Sequence, residues 1–210
     1  MPNSSNNFAF PELTRIRQEN SSYCGPAVIQ MLLDFLGYPI TQDDFVAAAD
    51  IGGRIQAYGT TIDDMVRAVK VLFPNLQFWY KFNSSLTDIS KVVNVYGYPV
   101  GVEWQGVFDY PDDDEDDDTD DYEDDDPGHY SVVTHIDTSQ NMVMIADPER
   151  HYAGSDRRFT ILSFEHRWWD INEIIDPITH HTRQVDENHA MFIITPKDAL
   201  FPLDLNMIRS

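Results

Sequence analysis

The apolar residues of this chain change their repeat near Gly97, and that change limits the folds available to it. Before it, Val28, Met31, Leu32, Phe35 and Leu36 recur at helical spacing. Pro26 suits a first turn, and Gly37 and Pro39 supply a stop. Thr41 with Asp44 has the form of a capping box for a helix through Ala49. Thr61 caps another that buries Met65, Val66, Val69, Leu72 and Phe73, and Pro74 ends it. Leu76–Phe82 reads as a short strand, and Thr87 as the cap of a helix carrying Ile89, Val92, Val93 and Tyr96. After Gly97, residues 99–104, 130–136, 142–146 and 190–195 are rich in Val, Ile and aromatics at strand length. One more helix is expected near Ser163, with Phe164, Trp168 and Trp169 turned inward. Helices followed by antiparallel strands predict an α+β fold, N-terminal helices packed on a C-terminal antiparallel sheet.

The 210 residues suit one domain: a flexible arm over 1–12, a body over 13–200 and a tail over 201–210. The formal charge of −22 is unevenly spread, because residues 109–126 hold 14 of the 36 acidic side chains. Outside that run the net charge is −8, that of an ordinary mildly acidic globule with an acidic insertion. The simplest expectation for the run is a solvated segment of self-repelling charge. A calcium loop or an electrostatic gate at a cleft rim is the functional alternative. Such a balance argues against nucleic acid as a partner, since phosphate binding needs clustered Lys and Arg. No apolar stretch approaches membrane-spanning length and no secretory signal is visible, so a soluble, cytoplasmic protein is expected.

The chain has a single cysteine, Cys24, in Tyr23-Cys24-Gly25-Pro26, directly ahead of the first helix pattern. A lone cysteine is most often a small buried hydrophobe. At a helix N-terminus, however, the macrodipole and the unpaired N–H groups favour the thiolate, the nucleophilic form. Two later segments can complete it. His129 stands at the mouth of the strand Tyr130–Ile136, and Asp147 closes the strand Met142–Ala146. The turn-forming residues Asp137–Asn141 join the two strands as a hairpin. A turn centred near Ser139 puts Asp147 opposite Ser131, or nearly opposite His129 after a small register shift. Opposed residues lie about 5 Å apart and diagonal ones about 7 Å, so the carboxylate can reach the imidazole. The roles are then Cys24 as nucleophile, His129 as base, Asp147 as the acid that orients it, and Gln18 as oxyanion donor with the Cys24 backbone N–H.

Gln18, then Cys24-Gly25 opening a helix, His129-Tyr130 leading a Val-rich strand and Asp147-Pro148 closing the next resemble the bacteriocin-processing double-glycine cysteine peptidases and their papain-like relatives. The likeness extends over roughly residues 13–170. It implies a papain-like α+β fold and thiol-dependent amide cleavage of a peptide or other amide substrate, without cofactor or metal. Transporter-linked members of that family often carry an acidic residue before the cysteine, where this chain has Tyr23, and no Gly-rich phosphate loop is present. A stand-alone relative with another substrate is the expectation. An acyltransferase or transamidase on the same fold, and a non-catalytic peptide-binding relative, are the alternatives. His135 shares a face with His129 on a regular strand, but no carboxylate motif completes a metal site. It is read as packed or exposed, and His180-His181 as part of a polar loop.

Overall fold

Hydroxyl caps punctuate the first half of the chain. A computed structural model describes residues 12–106, 128–175 and 182–210. The arm (all but its last residue), the acidic run 109–126 and His180-His181 lie outside the described residues. Helix α1 (Cys24–Phe35) is followed by α2 (Gln42–Ala49), α3 (Ile55–Tyr58) and α4 (Ile62–Leu72). Capping boxes form at Thr41 with Asp44 and at Thr61 with Asp64, as the sequence predicts. The cap expected at Thr87 is instead Ser85, whose box is closed by Asp88. It opens α5 (Leu86–Ser90), which runs into a π-helical turn over Lys91–Tyr96. Helix α6 (Ile161–Arg167) begins two residues before Ser163, capped by Thr160. It buries Phe164, and the adjoining Trp168 is buried too, whereas Trp169 is only half-buried.

The strands are β1 (Leu76–Lys81), β2 (Val100–Gln105), β3 (Gly128–Asp137), β4 (Met142–Ala146), β5 (Asp156–Thr160), β6 (Ile171–Ile175), β7 (Thr182–Asp186), β8 (Met191–Pro196) and β9 (Ile208–Arg209). Among the described residues they make one antiparallel sheet of order β5-β4-β3-β2-β8-β1-β9 and a separate β6-β7 ribbon. Residues 201–210, expected as a tail, form the short helix α7 (Phe201–Asp204) and the edge strand β9, and they bury Leu205 and Met207. Period-two alternation gives the sheet two covered faces. One carries Phe78, Tyr130, Val132, Phe192 and Ile194 against α1, α2 and α4. The other carries Trp79, Val102, Trp104, Val133 and Ile193 against α5, α6 and the C-terminal residues.

One irregularity decides the sheet face on which Asp147 stands. Near the turn β3 and β4 pair as Asp137↔Met142, Ile136↔Val143 and His135↔Met144. Beyond a bulge at Thr134 they pair as Val133↔Ile145 and Val132↔Ala146. Carried one residue further, the shifted register sets Asp147 opposite Ser131, on the face that bears His129. Without the extra residue Asp147 would oppose Val132 and face the other way. The same bulge breaks the alternation between His129 and His135, so the two do not share a face, and His135 is exposed.

Gly101 lies under Phe192, where a Cβ would come within 2.2 Å of the ring. That ring stacks on Phe78 at 5.5 Å and meets Tyr130 edge-on at 6.0 Å, so it has nowhere to move. Gly101→Ala is expected to cost about 1–3 kcal/mol by overpacking, read as a fall in Tm, with part recovered by Phe192→Leu. An unchanged Tm would contradict this packing.

Candidate active site

Cys24 occupies the first turn of α1, a twelve-residue helix with no side-chain cap at its N-terminus. The thiol lies beside the His129 ring and the backbone N–H groups of Tyr130 and Gly25, all of which act on it. His129 Nε2 lies 2.8 Å from Asp147 Oδ1, which leaves Nδ1 as the ring nitrogen for the thiol. Asp147 is buried and fully engaged. Its Oδ1 also accepts the Glu149 N–H at 3.0 Å, and its Oδ2 accepts Arg157 Nη1 at 2.6 Å. The Arg157 guanidinium lies 3.7 Å over the Tyr152 ring and 4.9 Å from that of Phe159, a stacked setting that suits Arg and not Lys.

These contacts set the ionisation states. Burial pushes the Cys24 thiol up, but the hydrogen bond and charge of His129, with the two backbone N–H groups, outweigh it and draw the thiol below its ordinary value. Burial pulls the imidazole down, yet its bonds to Asp147 and Cys24 raise it to about 10. Burial likewise pushes Asp147 up, while His129, the Glu149 N–H and Arg157 hold it below the usual carboxylate range. A lowered thiol and a raised imidazole together favour the thiolate–imidazolium pair.

Gln18 arrives from the segment before α1. Its backbone N–H donates to Pro148 O at 2.8 Å, tying it to the residue after Asp147. Buried Gln42 brackets it, donating to Arg17 O at 2.8 Å and accepting from the Glu19 N–H at 2.9 Å. The Gln18 amide donates to Asn20 O at 2.9 Å, while its buried Oε1 has no partner among the described residues. Gln18, Cys24, Gly128 and His129 line a cleft of about 400 Å³, rimmed by Arg17, Glu149 and Arg150. The structure thus brings together all four residues singled out in the sequence. Arg157 and Gln42 were not among them. Arg157 comes from an edge strand with a polar sequence, and Gln42 looks like an ordinary first-turn helix residue.

The fold and the cleft define an α+β domain in which a helix-terminal cysteine meets a strand histidine. The chain matches the Peptidase_C39 like family over residues 11–174, and it belongs to that family. Its fold is shared by the peptidase domain of Streptococcus ComA, a bi-functional ABC transporter of a quorum-sensing pathway. That match has a TM-score of 0.58 at 17% identity and covers 89% of this chain and 100% of that one. A putative C39-like peptidase from Bacillus anthracis gives 0.56 at 17% identity, covering 86% and 94%. A double glycine motif protease from an AMS/PCAT transporter, in complex with its leader peptide, gives 0.51 at 14% identity, covering 89% and 93%. No curated protein matches the sequence significantly. Among the described residues, no helix is long and apolar enough to cross a membrane.

Arg157 generates a prediction. Without its charge Asp147 takes up a proton at higher pH, and the imidazolium then loses its counter-charge. In Arg157→Met the acid limb of Cys24 alkylation by iodoacetamide should move to higher pH by on the order of one unit. An unmoved limb would show that Arg157 has no hold on Asp147.

Proposed function

We propose that this protein is a thiol-dependent peptidase or amide hydrolase that works through an acyl-enzyme on Cys24. The observation that carries the reading is the Cys24 thiol set beside the His129 ring, which Asp147 holds at 2.8 Å, with the thiol end opening into a cleft. The Cys24 thiolate attacks the substrate carbonyl carbon. The resulting oxyanion accepts from the Cys24 backbone N–H at the helix terminus and from the Gln18 amide, released from Asn20 O. His129 then gives its proton to the leaving amine as the C–N bond breaks and the thioester forms. In the second half, neutral His129 takes a proton from water, the hydroxide attacks the thioester, and Cys24 leaves as thiolate. Asp147 stays ionised throughout and holds the ring with Nε2 toward itself. A peptide is the substrate class this reading favours, supported by family membership and by the leader peptide bound to the double glycine motif protease.

The test is peptide turnover with intact-mass detection of the thioester. Cys24→Ala should abolish both turnover and adduct. Gln18→Ala should lower kcat by about a hundredfold, with KM within a few-fold, because the amide acts on the oxyanion and not on the bound substrate. Turnover that survives in Cys24→Ala would overturn the proposal. Peptide binding without any adduct would favour a non-catalytic relative, and adduct resolved only by added amines would favour a transferase.

A further inference from the structure

Cys24 lies where two clefts meet. The second, about 350 Å³, opens on the Thr60 side of the thiol, and Glu103, Tyr130 and Asp170 line it. Glu103 from β2, Asp170 after α6 and Glu187 after β7 come together here, at 1%, 7% and 5% exposure. Asp170 and Glu187 exchange backbone hydrogen bonds, at 3.3 and 2.8 Å. Asn172 Nδ2 donates to Glu103 Oε1 at 2.8 Å and to Glu187 Oε2 at 3.3 Å, while Gln105 Nε2 donates to Asp170 Oδ1 at 2.8 Å. The approach is close enough that a Cβ on Gly128 would sit 1.9 Å from Asp170 Oδ2, so the residue before His129 has to be glycine. Among the described residues, no Lys, Arg or His forms an ion pair with any of the three.

A second observation concerns the hydroxyls in the same cleft. The hydroxyls of Tyr130 and Thr60, in residues only 3% and 4% exposed and both lining this cleft, have no hydrogen-bond partner among the described residues. Glu103 Oε2 has none either. Tyr130 pairs across the sheet with Glu103, whose carboxyl acts on its hydroxyl both by charge and as a neighbouring acceptor, which leaves the Thr60 hydroxyl as the one outside the carboxyl cluster. Buried polar atoms are ordinarily satisfied, so a set of unsatisfied acceptors at the wall of a cleft calls for a donor. Burial, then the neighbouring Glu187 and Asp170, hold Glu103 well above the usual carboxylate range, and burial raises Asp170 as well. A cation placed among these carboxyls would favour their ionised forms. Among the described residues, no three His, Cys, Asp or Glu side chains converge as metal ligands. An ammonium or guanidinium, with three or five N–H donors, matches a spread of oxygens better than a metal would.

We infer that Glu103, Asp170 and the Tyr130 hydroxyl form a specificity subsite that receives a basic side chain of the peptide, beside the nucleophile. The inference rests on the reading of Cys24 as the attacking group, and its test keeps the two apart. A peptide set in which one Lys is walked through successive positions, with norleucine as the neutral isostere, is measured in two ways. Binding to the Cys24→Ala protein is read by fluorescence anisotropy, and turnover is read on the unsubstituted chain. At one position Lys should exceed norleucine by about ten- to a hundredfold in both, the scale of a charge-assisted hydrogen bond. That ratio should collapse toward one in Glu103→Gln and in Asp170→Asn. The two isosteric changes each remove one carboxyl of the pair, so the loss of one to misfolding leaves the other as the test. A Lys preference in binding without turnover would overturn the peptidase reading and keep the subsite. No Lys preference at any position, no measurable binding of either peptide at millimolar concentration, or a preference that survives both substitutions would overturn the subsite.

Discussion

The buried carboxylate of Asp147 is the interaction on which the site depends. An ionised group removed from water is stable only when its charge and its lone pairs are met. Here they are met from three directions: the imidazole from β3, the guanidinium from β5 and a backbone N–H from its own turn. The next residue, Pro148, accepts from the backbone of Gln18 and so ties the segment before α1 to the same corner. One anion therefore holds the His129 ring and bridges β3 to β5, and the residue after it brings Gln18 beside the thiol.

The Thr134 bulge shows how backbone geometry decides chemistry. A hairpin of constant register presents either the residue opposite Ser131 or its neighbour to the His129 face, never both. One extra residue in β3 selects Asp147. That residue is also anchored, because the Thr134 hydroxyl donates to Asp156 Oδ2 at 2.7 Å, and Asp156 is held in turn by Arg15 Nε at 2.9 Å. The bulge, the edge strand and the N-terminal segment thus lock one another, and the orienting acid inherits their rigidity.

Much of this was legible in the sequence where signals are local. Cys24-Gly25-Pro26 marks a helix start, and Thr41 and Thr61 announce their capping boxes through the acid three residues on. The hairpin joining His129 to Asp147 is readable from turn composition and index arithmetic. Ser85 carries the same capping signal through Asp88, whereas Thr87 has Ser90 three residues on. Other features were not legible, for physical reasons. The strand Asp156–Thr160 is a half-exposed sheet edge, so its sequence carries no apolar alternation, and Arg157 was missed with it. The acidic knot is assembled from Glu103, Asp170 and Glu187, each unremarkable among many acids until topology brings them together. The exposed edge strand β9 owes its place to pairing with Trp79 and Tyr80, which no local pattern near residue 208 reports.

The central claim is that the Cys24–His129 couple rests as thiolate and imidazolium. Because the chain has one cysteine, the ultraviolet absorbance of thiolate against pH, taken as the difference from Cys24→Ala so that the ten tyrosines cancel, reports Cys24 alone. The account predicts thiolate well below the free-thiol value of about 8.5, with a second change near the His129 value of about 10 as the imidazolium loses its proton. In His129→Ala the thiolate should appear only at or above the ordinary thiol range, since burial then acts unopposed by the imidazolium. Identical titrations in the two proteins would contradict the ion pair, and with it the account of Cys24 as an activated nucleophile.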